Sequence, residues 1–373
     1  MVATGSETTK KSPRLDRAHT LMKEAGIDLL LVSPSADLRY LTGYARGTSE
    51  RPTLLALQPD REAAILVPEL EAAGAAQIAG GRVVTFSETD NPYAVLASAL
   101  GFSAGGVQPS RIAISPQMWA EFLLRLQATF DATFVSAAPL LGRLRAAKGP
   151  DELELLERAG RAVDAAVGQI VHTQFAGKTE RQIADEINRL LQDQGMEVAP
   201  WGPIVASGPN AASPHHLTGD REIREGDTVI LDFGCTHEGY QADITRTVHV
   251  GEPNDEFKRV YRVVQEAQQA GVEAAREGVP AQTVDRATRR VIDDSGYGEF
   301  FVHRTGHGLG LDVHEEPYIV DGNELPLQAG MVFSVEPGIY LPGKFGVRIE
   351  DIVALTEHGA SRLNNARREV VIV

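Results

Sequence analysis

The chain has 373 residues, of which 43% are hydrophobic and 23% charged, with a formal net charge of −15. That length exceeds one ordinary core and suits two domains, and the apolar and charged fractions are those of a soluble globular protein. The acidic balance, unbroken by any basic run, argues against a nucleic-acid or anionic-membrane partner, and no segment approaches the ~18 apolar residues of a membrane span.

In chain order, the polar opening from Met1 to Arg17 reads as a disordered tail (residues 1–12) running into a helix, not as a secretory signal. Residues 13–147 then alternate. Helices are expected at Pro13–Ala25, Pro92–Leu100, Pro116–Leu126 and Ala138–Ala146. Strands are expected at Ile27–Val32, Thr53–Leu57, Ala64–Val67, Arg82–Phe86, Arg111–Ile114 and Thr133–Val135. This is a mixed α/β domain. Gly149-Pro150-Asp151-Glu152 punctuates the chain and opens a helix with acids in its first turn, which marks a boundary to a second domain, 148–373.

The second domain begins with helices at Asp151–His172 and Thr179–Gln194, the latter opened by the capping box Thr179-Glu-Arg-Gln182. A strand hairpin follows, then helices at Asp255–Glu277 and Ala281–Ser295, a Gly/His-rich turn and a second hairpin. Two helices plus a hairpin, twice over, describe an α+β half-domain duplicated around a centre. The single Cys235 forms no intramolecular disulfide and fits a reducing cytoplasm. Strand alternation turns it away from Asp232, toward packing.

The duplication carries charge where strands should be apolar. Gly226-Asp-Thr-Val-Ile-Leu-Asp232 and Gly330-Met-Val-Phe-Ser-Val-Glu336 each place one carboxylate six residues after a leading glycine. Each half returns as a second strand with its own acid, Asp243 and Glu350. Any one such acid is ordinarily a solvated turn residue; the repeated placement of all four is not explained that way. With a turn at His237-Glu238, Asp232 and Asp243 would stand directly opposed, with Cβ atoms about 4.5–5.5 Å apart. Two half-buried carboxylates that close call for a cation. Four carboxylates with His307 form a hard, oxygen-rich shell without thiolate, suited first to Mn²⁺ and also to Co²⁺, Fe²⁺ or Zn²⁺. Two ions of this kind lower the pKa of a bridging water and make it a nucleophile.

Six motifs in order carry a likeness to a known family: Ser207-Gly-Pro-Asn-Ala-Ala-Ser-Pro-His215, Leu231-Asp-Phe-Gly, Ala242-Asp-Ile-Thr-Arg-Thr, His303-Arg-Thr-Gly-His-Gly-Leu-Gly-Leu-Asp-Val-His314-Glu-Glu-Pro, Ser334-Val-Glu-Pro-Gly-Ile-Tyr and Val347-Arg-Ile-Glu-Asp351. From Lys148 to the C-terminus the chain resembles the M24 metallopeptidases, specifically the Xaa-Pro dipeptidases (prolidases) and Xaa-Pro aminopeptidases (aminopeptidase P). The N-terminal region resembles the creatinase/prolidase N-domain by position, length and α/β alternation. The resemblance implies a pita-bread catalytic fold, a homodimer and a small peptide substrate with proline at its second position. It implies metal ligands Asp232, Asp243, His307, Glu336 and Glu350, the same five residues. His215 and His314 would be non-ligand catalytic histidines, Glu336 the proton shuttle and Arg348 an active-site arginine.

Alternatives stay open at this point. His216 could take the role of His215. Trp201 and Tyr340 could line a pocket, though aromatics at such positions are more often core. His237 and His303 are assigned no function. The glycines of Gly306-His-Gly-Leu-Gly310 lack the strand–loop–helix context of a phosphate site, so nucleotide binding is not expected. Dipeptidase is preferred slightly over aminopeptidase P because the chain is compact, and a metal-dependent lyase or a creatinase-like hydrolase would share the scaffold.

Overall fold

A computed structural model describes residues 12–76, 81–102 and 106–373. The expected disordered tail therefore lies outside the described residues, apart from Ser12. The chain divides into two units, one ending at Arg145 and the other Ala146–Val373.

The first unit is built on a six-stranded sheet in the spatial order Gly81–Phe86, Ala63–Pro68, Leu54–Leu57, Leu29–Val32, Arg111–Ile114, Thr133–Ser136. Its two central strands, Leu-Leu-Leu-Val and Leu-Leu-Ala-Leu, are buried at every residue. Continuous apolar runs rather than alternation are what a sheet covered on both faces requires. Helices lie at Pro13–Ala25, Ala36–Thr42, Pro92–Ala99, Ala120–Thr129 and Ala138–Arg145, with a short turn at Ala72–Ala75.

Two of these correct the sequence expectation. Ala36–Thr42 was not expected, although its punctuation is present: the Ser35 side chain accepts from the Leu38 N–H, and Gly43 closes the helix with φ 77°. The helix expected at Pro116–Leu126 instead runs Ala120–Thr129. The Ser115 N–H bonds Leu31 O at 2.9 Å, extending the sheet. Its buried hydroxyl lies 3.0 Å from both Ser33 N and Ser33 Oγ, so it cannot cap a helix.

The second unit repeats one plan. Helices Pro150–Ile170 and Glu180–Gln192 cover a long antiparallel hairpin, Thr228–His237 with Tyr240–His249. Val163, Val167, Ile187 and Leu191 pack there against Leu231, Phe233, Cys235 and Ile244. Helices Asp255–Ala274 and Ala281–Asp294 contribute Val272 and Val284 to a second core with Phe333, Val335 and Val353. Because side chains alternate along a strand, the residues between these core positions face the other way. Asp232, Asp243 and Thr245 are among them.

The hairpin register differs from expectation. The turn is Glu238-Gly239, with φ 47° and 86°, the two positive values a type I′ turn demands. A turn centred one residue later moves the pairing by two: Asp243 stands opposite Gly234 and Asp232 opposite Thr245. The two carboxylates are diagonal neighbours on one face, not directly opposed. Gly234 leaves the space beside Asp243, since a Cβ there would run into the Ala242 carbonyl and the Trp201 ring.

The second hairpin is interrupted. Val332–Val335 pairs with Asp351–Thr356, and beyond Pro337 a separate ribbon forms between Gly338–Leu341 and Phe345–Arg348. Proline removes a ladder donor, which accounts for the break. Glu336 and Glu350 sit at this gap. The Glu336 N–H bonds Thr305 O at 2.8 Å and the Glu350 N–H bonds Thr245 O at 3.1 Å, so the second bond ties the two halves together at the acid-bearing positions.

Candidate metal and catalytic site

A cavity of about 480 Å³ opens between the two hairpins, lined among others by His215, Asp232, Asp243, His307, His314, Glu336, Arg348 and Glu350. Every residue singled out in the sequence as a ligand or catalyst reaches this one cavity. At its floor, ligating atoms of Asp243, His307 and Glu350 lie within 4.8 Å of one another, and all three residues are buried. The His307 Nδ1–H can only donate to its 3.1 Å neighbour, the Gly308 carbonyl, which leaves Nε2 as the coordinating nitrogen. Glu350 Oε2 accepts from Thr245 Oγ1 at 2.7 Å, whereas its Oε1 is buried without a partner. A buried orphan carboxylate oxygen beside another carboxylate and an imidazole lone pair is a donor set that fits a divalent cation.

The other two expected ligands line the same cavity but are engaged by protein groups. Asp232 Oδ2 accepts from Arg348 Nη2 at 2.5 Å. Glu336 Oε1 lies 3.3 Å from His307 Nε2 and accepts from Ser334 Oγ at 3.1 Å. Burial, together with Asp232 and Glu336, raises the pKa of Asp243 well above the ordinary carboxylate range. Glu350 is raised by burial and by Asp243. For Glu336 burial also pushes upward, but the hydrogen bond and charge of His307 outweigh it and bring the group to about 2.

These directions carry a sign for stability. Raised values mean that the folded chain without cations holds protons an unfolded chain has released. The contribution of Asp243 and Glu350 is thus present at low pH and lost as pH rises through their raised values, and a cation that displaces the protons reverses the loss. Titrating the cation-free protein with a divalent ion in two buffers of different ionisation enthalpy should show net proton release at pH values between the ordinary carboxylate range and the raised values. The gain in Tm on adding the ion should be larger at neutral than at mildly acidic pH. Heats independent of buffer would contradict this account.

Among the histidines, His314 packs edge-on against His307 with ring centroids 4.1 Å apart. Burial, then His307, holds it down at about 4, so it is neutral at physiological pH. His215 lines the cavity, while its neighbour His216 points elsewhere, with Nε2 2.7 Å from the buried Glu180 carboxylate. His303, to which the sequence assigned nothing, lines the cavity as well. Its Nδ1–H donates to Arg304 O at 2.7 Å, so Nε2 accepts from the Tyr340 hydroxyl at 2.8 Å. Tyr340 in turn accepts from Arg348 Nη1 at 2.8 Å. Tyr340 is buried, as expected of an aromatic there, yet its hydroxyl belongs to the site. Trp201 lines the cavity.

Arg348 also donates to Thr245 Oγ1 at 3.2 Å and to Pro214 O at 3.3 Å. Burial opposes its charge, and Tyr340, Asp232 and Glu336 around it restore it. Four of its five N–H donors are so engaged, and Arg348 thereby holds Asp232 and the His215 loop in place. Position in sequence could not reveal the chain from Asp232 through Arg348 and Tyr340 to His303, because Asp232 and His303 are far in sequence from the ribbon that carries Tyr340 and Arg348. The one local signal was His303 itself, four residues before His307. Cys235 is pushed up to about 12 by burial and then by Asp243, and its Sγ lies 3.6 Å from Ala159 O. It packs.

Residues 154–357 match metallopeptidase family M24, and residues 14–147 match the creatinase/prolidase N-terminal domain. The chain belongs to metallopeptidase family M24. The M24 chain is 42% identical to the probable dipeptidase PepE of Mycobacterium tuberculosis, across 96% of both sequences. It is 35% identical to the Xaa-Pro dipeptidase of Pyrococcus furiosus, across 96% of this chain and 99% of that one. The crystal structure of dipeptidase PepE from Mycobacterium ulcerans superposes with a TM-score of 0.91 at 43% identity, covering 96% and 97% of the two chains. The protein is accordingly a metallopeptidase with the pita-bread catalytic fold behind a creatinase-type N-terminal domain. No helix among the described residues is long and apolar enough to cross a membrane.

Proposed function

We propose that this enzyme hydrolyses the Xaa-Pro bond of dipeptides with two divalent ions, Mn²⁺ foremost, held by Asp232, Asp243, His307, Glu336 and Glu350. The observation that carries the reading is the clustering of ligand atoms of Asp243, His307 and Glu350 within 4.8 Å of one another, with one Glu350 oxygen buried and orphaned and the two further carboxylates lining the same cavity. A cavity of about 480 Å³ falls within the range of small-molecule sites, about 300–1,000 Å³, and accommodates a dipeptide. Relatives of matching length named Xaa-Pro dipeptidase support the substrate class.

When bound, such ions supply a water of lowered pKa and positive charge for the oxygen of the attacked carbonyl. The protein's own groups do the rest. Glu336, already on a histidine and a hydroxyl, is placed to take the proton of the attacking water. Neutral His314 keeps an N–H to offer as charge develops on the carbonyl oxygen. Proline nitrogen leaves poorly until protonated, so an acid must reach it; His215 faces the cavity for that step. Arg348 keeps Asp232 and Pro214 in register.

Chelation should abolish hydrolysis of Ala-Pro and Gly-Pro, Mn²⁺ or Co²⁺ should restore it, and elemental analysis should find close to two divalent ions per chain. Activity that survives a chelator in metal-free protein would end the two-ion reading. A longer Xaa-Pro-Yaa peptide, cleaved as fast as the dipeptides, would move the assignment to aminopeptidase P.

A further inference from the structure

The loop that presents His215 is not built on an apolar core. It leaves the strand Ile204–Ser207, makes a single 3₁₀ turn at Gly208–Ala212 and returns through Gly219. Ala211 is its one buried hydrophobic residue, and Leu217 is 88% exposed. Its order comes largely from polar contacts: Thr218 Oγ1 accepts from Val205 N and donates to Pro203 O, each at 2.8 Å, and five further contacts converge on one group. Glu180, 0% exposed, accepts at Oε1 from Ser207 N (2.8 Å), Ser207 Oγ (2.7 Å) and Asn210 Nδ2 (2.9 Å). At Oε2 it meets His216 Nε2 (2.7 Å) and Gly219 N (3.3 Å). One carboxylate therefore grips the loop at its start, its middle and its end.

Glu180 is itself held rigidly. It is the first residue of the helix Glu180–Gln192, whose capping box is complete: Gln182 N donates to Thr179 Oγ1 at 3.2 Å and Thr179 N to Gln182 Oε1 at 2.9 Å. The helix anchors through Ile183, Ile187 and Leu191 in the core. Drawing the His216 ring onto this carboxylate leaves the adjacent His215 to face the cavity, and Arg348 secures the same loop from the other side at Pro214 O. None of the five donors to Glu180 belongs to a candidate metal ligand.

We propose that Glu180 is the positioning residue for His215: a buried carboxylate around which the His215 loop folds, acting on the reaction through His215 and not through the metals. This rests on the role given to His215 above. Neighbours that act as a unit show non-additive losses, so the test is a double-mutant cycle on the full-length Mn²⁺ enzyme with Gly-Pro. Glu180→Ala should lower kcat/KM by about 10²-fold, mostly in kcat. Mn²⁺ stoichiometry and affinity should change by less than about 3-fold. Added to His215→Ala, it should cost no more than about a further 3-fold. Amide hydrogen exchange across residues 209–219 should speed up in Glu180→Ala and be partly restored in Glu180→Gln, whose one carbonyl still serves Ser207 and Asn210.

Multiplicative losses in the double variant, or unchanged exchange in the loop, would overturn the proposal. Should His215→Ala stay fully active, the role of His215 fails, and exchange in Glu180→Ala still decides whether the carboxylate orders the loop. If Glu180→Ala does not fold, the same cycle with Glu180→Gln decides, with a smaller loss of about 10-fold expected in the single variant.

Discussion

Asp243→Ala is expected to release bound metal and nearly all activity, whereas Asp255→Ala, twelve residues on, leaves both intact. Asp243 is 6% exposed and shares a 4.8 Å cluster with His307 and Glu350, so no water or flexible side chain can substitute for it. Removing one carboxylate from a buried cation site leaves the cation short of charge and the remaining acids repelling each other across an enlarged space. Asp255 sits in the first turn of a surface helix capped by Asn254, whose side chain accepts from the Phe257 N–H at 2.9 Å. The cap is therefore Asn254, and Asp255 is the first residue of the helix. What Asp255 adds is a charge near the helix N-terminus, about 0.3–1 kcal/mol. Metal content, steady-state kinetics and thermal melts on both variants check this. Equal loss of activity in the two would mean that the hairpin does not build the metal site.

The second large effect separates chemistry from metal binding. His314→Ala should keep its metal and lose at least about 10²-fold in kcat/KM, mainly in kcat, because a donor to developing charge contributes most in the transition state. His307→Ala should weaken metal affinity itself. The two rings touch, yet differ in orientation: the Nδ1–H of His307 is committed to Gly308 O, which aims Nε2 at the carboxylates, while His314 lines the cavity outside the three-residue cluster. Metal stoichiometry with kinetics on both variants decides. Metal loss in His314→Ala to match His307→Ala would make His314 a ligand and require the fifth ligand to be reassigned.

The duplicated plan was legible before any coordinates because it is local: amphipathic helices, a capping box at Thr179 and apolar strands each interrupted by one acid are short-range patterns. The acids stood out because a charge in an apolar strand has no local reason to be there. The six-stranded N-terminal sheet was legible for the same reason, since runs such as Leu29–Val32 can only be buried.

What the sequence could not decide was register and reach. Glu238-Gly239, with glycine in the second turn position, is the better two-residue turn by composition than His237-Glu238, but the alternation of apolar and polar residues fits either. Only Glu238 at φ 47° beside Gly239 at φ 86° makes Asp243 face Gly234, and a one-residue shift of a turn moves every cross-strand pair. Pro337 announced a break, but not that the strand would resume with a different partner, leaving Glu336 and Glu350 at the gap. The chain from Asp232 through Arg348 and Tyr340 to His303, like the grip of Glu180 on the His215 loop, joins residues that, apart from Tyr340 and Arg348 on one ribbon, share no helix turn or strand pair. Residue type and spacing determined which groups would form the site. Which oxygen faces which donor was decided only by tertiary packing, because hydrogen-bond geometry is set by distances between elements that no local pattern encodes.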